Sequence, residues 1–576
     1  MIEIKKIGTN VVFWHIVFFA ALGLFVGSSL TRIQQSVAQD ELHWLIAAKS
    51  LYLHGIPQQY TSPDRIAAFS PHLYLRIVVL AFSLFGESEV VARLPGVISG
   101  LLAIIMVFLI TKSFSQGDRA ERVQWAALSS LLYASTPATI QGSLIIDIDN
   151  TILIPAVLFL YGAFVKYQQT GQGRWAILTG LSIGTALWAR VTTPIIITFL
   201  LFFYVLVKKN TLKAKLTLIT AILSGVFLFV VSWYLYCSLT GVPFREPFTY
   251  TLGAFQSKVS GLTFSLLLRN LIFLTLWLGV FPSLLFVVVT IQKCKRYLKN
   301  PEIHLEDIFL WSGGILILGY TLVGGAIFGY PKYHSSAIPL LYIFAGLALS
   351  QSKSNMDFVN ARLKVISVII IVFIASVVQT IIVGDLLYGI RYELRNAFAF
   401  MLPVIPILKS IALKIGLFSL VFVIPFMIYS KILFKKAWML LLILLSVGTN
   451  IGTVFIQNTA NYHTGYNYGG QGTIETAQYI REKVSSQSVV LAPSEIIYYL
   501  KLPKSLYLPN TLWTDTNELR ERLTDKNTSA LVYSIATNTI HQIRTISTNK
   551  AIQDLLSQDF DYTKIGSYVI WIRKDP

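Results

Sequence analysis

The run Gln39-Asp40-Glu41-Leu42-His43-Trp44 places two adjacent carboxylates just beyond the first long apolar segment. Carboxylates at a membrane surface are costly unless they are solvated or used. On an interfacial helix, Asp40 would face a cavity while Glu41 anchors the helix. A carboxylate within reach of a hydroxyl can take its proton as that hydroxyl attacks a carbon centre. The plainer alternative is a solvated helix start with Asp40 as its N-cap. A second acidic pair, Asp147-Ile148-Asp149-Asn150, stands between two apolar runs. Carboxylates at i and i+2 can orient hydroxyls or offer oxygen ligands to a divalent cation. Here too there is an alternative, a helix N-cap at Asp149 or Asn150 ahead of Thr151.

The third signal is basic. Arg93 in Val-Ala-Arg-Leu-Pro, Arg190 in Leu-Trp-Ala-Arg-Val-Thr-Thr-Pro and Lys332-Tyr333-His334 all fall at ends of apolar runs. An anionic leaving group such as a lipid phosphate needs preorganised positive charge, and an arginine grips it with two parallel N–H donors. Snorkelling to headgroups is the competing explanation, strongest for Arg93. Arg190 interrupts a long apolar run, which snorkelling explains less well. His43 and His72 suit a polar, acceptor-side cavity. With His54 and His334 they show no H-E-x-x-H or comparable spacing, so no metal site is assigned. The sequence calls for no cofactor with certainty, although the acidic pairs leave room for a divalent cation.

These residues need a frame, and the frame is apolar. Hydrophobic residues make up 54% of the 576 and charged ones 13%, about half the usual share of a soluble protein. A span needs about 20 apolar residues. Thirteen are expected, near 11–31, 90–111, 123–141, 150–166, 175–190, 192–207, 216–237, 263–291, 308–328, 335–350, 365–384, 411–430 and 437–456, with a break at Arg190. The first is an uncleaved span, since no small-residue cleavage site follows it. Residues 32–89 form a long first external loop, and the amphipathic stretch about 70–86 suits an interfacial helix.

The formal net charge of +19 raises the question of nucleic acid. Residues 457–576 carry 12 Lys and Arg against 11 Asp and Glu, whereas the first 456 carry 35 against 17. The excess lies between the apolar segments, as the positive-inside bias requires, and no nucleic-acid module is present. Lys112, Lys166, Lys208, Lys293, Lys353 and Lys431, with their basic neighbours, mark the inner side. This predicts a cytoplasmic N-terminus, an extracytoplasmic C-terminus and a multi-pass plasma-membrane location. Cys237 and Cys294 then fall on opposite sides and cannot pair.

Residues 1–456 are thus read as the transmembrane domain and 457–576 as an external α/β domain. In the latter, TIETAQYIREKV, EIIYYLK and NELRERL read as helices, and QSVVLAP, SLYLP, ALVYSIA and SYVIWIRK as strands, with one further polar helix. The pattern suggests a doubly wound arrangement without a nucleotide-binding loop.

Taken together, the residues resemble the GT-C glycosyltransferases, specifically the group of protein O-mannosyltransferases and aminoarabinose transferases of lipid A. The resemblance rests on order. Asp40 and Glu41 follow the first span, then Gly55, Pro71-His72-Leu73-Tyr74, Phe85-Gly86 and Arg93-Leu94-Pro95. The group's second Asp matches Asp147 or Asp149. Its Gly-rich span ending in a basic residue matches Gly180, Gly184, Arg190 and Pro194. Its basic-Tyr segment matches Lys332, Tyr333 and Pro339. The chain departs from the aminoarabinose enzymes at Phe69-Ser70-Pro71-His72, where they carry Glu-Lys-Pro-Pro, and it lacks the inserted lumenal domain usual in the mannosyltransferases.

The resemblance implies a polytopic GT-C helical fold and transfer of a sugar from a polyprenyl-phosphate donor to an acceptor at the external face. The acceptor class, whether glycan, lipid or protein, stays open. Asp40 would act as general base for an inverting displacement, with Glu41, Asp147 and Asp149 beside it. Arg93, Arg190, Lys332, Tyr333 and His334 would hold the donor phosphate. The alternative function is a transporter or flippase of lipid-linked sugars, which predicts inverted repeats and charges buried mid-span.

Overall fold

The computed structural model describes residues 11–37, 39–59, 66–208 apart from 69, 211–259, 277–299, 304–322, 332–352 and most of 472–574, with a few isolated positions elsewhere. The described residues fall into two compact units. One takes those up to 33 and from 47 to 352; the other takes 34–46 with those from 472 onward.

The first unit is helical. Its elements are α1 (Val11–Leu30), the later part of α2 (Gln39–His54), α3 (Leu73–Phe85), α4 (Glu89–Phe114), α5 (Arg119–Ser135), α6 (Pro137–Leu144), α7 (Leu153–Thr170), α8 (Gly173–Ala189), α9 (Thr192–Val207), α10 (Leu212–Thr240), α11 (Glu246–Val259), α12 (Val280–Lys299), α13 (Asp307–Leu322) and α14 (Ile338–Ser352). Among the described residues, α1, α4 and α10 are long and apolar enough to cross a membrane, and α3, α9, α13 and part of α14 are shorter apolar helices. Local chemistry fixes the starts. Ser88, Asp118 and Thr211 each accept from a backbone N–H three residues on, which caps α4, α5 and α10.

Two expectations change and a third holds. The third span is not continuous: Pro137 cannot continue α5, so α5 ends at Ser135 and α6 starts afresh with proline at its first position. Of the span expected near 263–291, the fully described part is α12, which runs on to Lys299. Lys293, Lys295, Arg296 and Lys299 therefore lie on a helix rather than in a loop. There Lys293 pairs with Glu306 at 3.3 Å and Asp307 at 3.2 Å. The amphipathic stretch expected near 70–86 is the helix α3. The spans expected at 365–384 and 411–430 lie outside the described residues, as does most of 437–456. Cys237 and Cys294 are free thiols.

Glycines set a close helix contact. On α8 and α10, a Cβ at Gly180 would strike the carbonyl of Ala221, and one at Gly225 would strike the carbonyl of Gly180. Backbones touch here because neither position carries a side chain, and this fixes α8, whose end carries Arg190.

The second unit holds a five-stranded sheet in the order β2-β1-β3-β5-β4, from β1 (Val489–Ala492), β2 (Leu506–Tyr507), β3 (Thr528–Ser534), β4 (Phe560–Ile565) and β5 (Tyr568–Arg573). Helices α15 (Thr473–Lys483) and α16 (Ser494–Leu500) cover one face, where Ala477, Ile480, Val490, Ile496, Val532 and Ile570 pack. Helices α17 (Thr516–Thr524) and α18 (Lys550–Asp559) cover the other over Leu491, Leu519, Leu531, Ile552 and Val569. Neighbours such as Val490 and Leu491 face opposite sides, the period-2 signature of a sheet buried on both faces. β1 is parallel to β2 and β3, but β5 is antiparallel to β3 and β4. The sheet is therefore mixed, not fully doubly wound. The hairpin turns at Gly566, whose positive φ suits a tight connection.

Candidate active site

The turn between α6 and α7 carries the second acidic pair. Neither Asp149 nor Asn150 caps α7, which begins at Leu153 after Ile152. Instead, the Asp147 carboxylate accepts from the Asp149 backbone N–H at 2.7 Å, and the Thr151 hydroxyl donates to the Asp147 carbonyl at 2.6 Å. This side-chain turn holds the Asp147 carboxylate against the backbone ahead of α7.

Each carboxylate meets a cation from a distant segment. Lys332, on a short 3₁₀ turn (Lys332–His334) ahead of α14, lies 2.5 Å from Asp147. Arg190 pairs with Asp149. The chain breaks at Arg190 as expected: its extended backbone ends α8, and its Nε donates to the Thr192 hydroxyl at 2.8 Å. Tyr333 lies under both cations, its ring centroid 5.0 Å from the Arg190 guanidinium carbon and 5.6 Å from the Lys332 nitrogen. The Tyr333 ring stacks on Tyr320, and the Tyr320 and Thr193 hydroxyls hydrogen-bond at 2.5 Å. The Ser335 hydroxyl lies within hydrogen-bonding reach of the Asn150 side-chain oxygen and the Lys332 carbonyl.

The structure thus joins Asp147, Asp149, Arg190, Lys332 and Tyr333 into one alternating charge cluster. Asp147 is fully buried, while the Arg190 side chain keeps 20% of its exposure and forms the open edge. A divalent cation at the carboxylates would have to displace Lys332 and Arg190. Among the described residues, no group of three or more His, Cys, Asp or Glu side chains is arranged to hold a metal.

His334 adjoins the cluster but is buried, with Nε2 3.1 Å from the Thr321 hydroxyl. Arg93 is buried within α4, and its Nε donates to the Leu144 carbonyl at 2.8 Å, closing the end of α6. That bond lies three residues ahead of Asp147 in the chain. His72 is also buried, with both ring nitrogens engaged: 2.8 Å to the Ala67 carbonyl and 2.9 Å to the Tyr236 hydroxyl. Burial lowers its pKa to about 4, so the ring is neutral. Arg76 donates to the same Tyr236 hydroxyl at 3.2 Å.

Asp40, Glu41 and His43 belong with the second unit. α2 starts at Gln39, so Asp40 sits in its first turn rather than capping it, where a helix favours negative charge. Glu41 is buried and His43 half-buried. Sequence reading missed Tyr320, Tyr236 and Arg76. Thr192 and Thr193 stood in the quoted Arg190 motif without an assigned role.

Residues 70–234 match the family model described as dolichyl-phosphate-mannose-protein mannosyltransferase. No curated protein sequence matches the chain. Among solved structures, the chain is similar to ArnT from Cupriavidus metallidurans bound to undecaprenyl phosphate, with 14% identity, 97% of each chain covered and a TM-score of 0.57. It is likewise similar to that protein in the apo state, with 16% identity, the same coverage and a TM-score of 0.59. The likeness in fold spans nearly the whole chain, and the family match covers α3 to α10, where Arg93, the acidic turn and Arg190 lie. The chain thus shares its fold with these ArnT structures and, over residues 70–234, its sequence pattern with that mannosyltransferase family.

Proposed function

We propose that the protein transfers a sugar from a polyprenyl-phosphate donor to a glycan, lipid or protein acceptor on the external face of the plasma membrane. The N-terminus is cytoplasmic in this reading and residues 457–576 form an extracytoplasmic domain. The donor phosphate docks at Arg190, Lys332 and Tyr333, with His334 behind them and Arg93 supporting the acidic turn. Asp147 and Asp149 hold the cations in place until the phosphate arrives. Asp40, seconded by Glu41, takes the proton from the acceptor hydroxyl, and in-line displacement inverts the anomeric carbon. Cationic N–H groups offset the charge that develops on the departing phosphate.

The observation that carries this reading is the meeting of Asp147, Asp149, Arg190, Lys332 and Tyr333 from three separated segments. Arg190 has five N–H donors. The Thr192 and Asp149 contacts engage only some of them, so the rest are free to grip a phosphate at the open edge. An apolar groove of about 810 Å³ between α8 and α10, lined by Ile177, Gly180, Leu216, Gly225 and Leu228, suits a polyisoprenoid chain. The ArnT structure bound to undecaprenyl phosphate supports the same donor class.

The test is binding of undecaprenyl phosphate to the purified protein in nanodiscs. Arg190→Ala and Lys332→Ala should each weaken it at least ten-fold. Unchanged affinity in both would overturn the phosphate assignment.

A further inference from the structure

The segment that leads into α2 is held by the C-terminal unit. The backbone N–H of Val37 donates to the Tyr499 hydroxyl at 3.0 Å, across 462 residues of chain, and Val37 is fully buried. Two residues later α2 begins, and Asp40 follows in its first turn. The residues before Gln39 are Val37 and Ala38, neither with a side-chain oxygen that could cap the helix. One residue separates Val37 from α2, so anchoring the Val37 N–H anchors the start of the helix that carries Asp40.

Tyr499 is itself held. It sits on α16, whose Ile496 and Leu500 are buried in the core with Ile480 and Val490. One turn back on the same helix face, the buried Glu495 accepts from the Tyr568 hydroxyl at 3.2 Å and lies 3.4 Å from the Ser494 hydroxyl. Tyr568 in turn contacts the Thr473 hydroxyl at 3.1 Å. A buried polar network thus ties α15, α16 and β5 beneath Tyr499.

We propose that Tyr499 is a positioning residue for Asp40: the C-terminal domain fixes the start of α2 through this hydroxyl. The proposal rests on the reading of Asp40 as the general base. Small displacements of a reacting group cost rate far more than they cost binding. Tyr499 should therefore act on turnover and leave donor affinity alone.

The experiment uses the full-length protein and Tyr499→Phe, which removes only the hydroxyl. Hydrogen exchange of the peptide containing Val37 should quicken at least ten-fold, while the β5 peptide stays protected and so reports an intact fold. With a radiolabelled undecaprenyl-phosphate sugar that the wild type consumes, kcat should fall about ten-fold at unchanged donor KM. Wild-type exchange at Val37, or faster exchange with unaltered kcat, would overturn the proposal. Asp40→Asn, assayed in parallel, separates the two layers. If it keeps wild-type transfer, the base assignment falls and this inference with it. If it is inactive while Tyr499→Phe is not impaired, only the positioning role is lost.

Discussion

The Lys332 ammonium lies 2.5 Å from the Asp147 carboxylate, and that carboxylate is wholly shielded from solvent. Removing one partner of such a pair leaves the other charge buried and uncompensated, at a cost of about 3–5 kcal/mol. Asp147→Ala should therefore lower stability by that order in a detergent unfolding assay. Lys332→Met combined with Asp147→Leu should recover most of the stability, because well-packed apolar groups replace a buried pair at little cost. If the pair serves donor binding, the double variant stays inactive. A double variant that is both stable and active would reduce the pair to a structural strut.

Arg190→Lys retains charge but loses the guanidinium fork. Thr192, Asp149 and Tyr333 are then no longer served by one rigid plane. We expect donor KM to rise about ten-fold in steady-state assays, with the fold unchanged by thermal unfolding. An unaltered KM would show that Arg190 acts as a point charge alone.

The contact of α8 with α10 makes a packing prediction. Gly225→Ala drives a Cβ into the Gly180 carbonyl, and overpacking of this kind costs about 1–3 kcal/mol. Gly23→Ala, where nothing lies within 4 Å, should be neutral or stabilising by about 0.5–1 kcal/mol. Melting temperatures of the two variants provide the check. Gly225→Ala should also lower activity, because α8 ends in Arg190.

Burial raises the pKa of Glu495 above its ordinary value of 4.5. The unfolded chain therefore ionises first as pH rises, so the contribution of Glu495 to stability is fullest below pH 4.5. That contribution is lost as pH climbs from there towards the folded-state pKa. Glu495→Gln should flatten this dependence and stabilise the unit at neutral pH. Hydrogen exchange of the β1 and β3 peptides across pH 4–8 measures it; an unchanged slope would contradict the assignment.

Much of this architecture was legible in the chain. Long apolar runs gave α1, α4 and α10, and Arg190 marked a real break, where the backbone turns extended at the end of α8. Pro137 was visible too, but a 19-residue apolar run concealed its effect. β4 escaped because Asp561, Tyr562, Thr563 and Lys564 look polar; its outer face is exposed and its pairing with β5 comes from tertiary structure. Asp147, Asp149, Arg190 and Lys332 stood out as charges at the ends of apolar segments. That Lys332 takes Asp147 and Arg190 takes Asp149 could not be read, since partner choice depends on how α8 and the turn before α14 approach. Arg93 and His72 looked available for the same reason: the carbonyls of Leu144 and Ala67 that occupy them are backbone atoms, which no side-chain pattern announces.

The proposed transfer chemistry turns on Asp40. Membranes containing the wild type or Asp40→Asn, supplied with a radiolabelled undecaprenyl-phosphate sugar that the wild type consumes, measure it most directly. Asp40→Asn should still bind undecaprenyl phosphate yet transfer sugar at least a hundred-fold more slowly. Transfer at the wild-type rate would contradict the account.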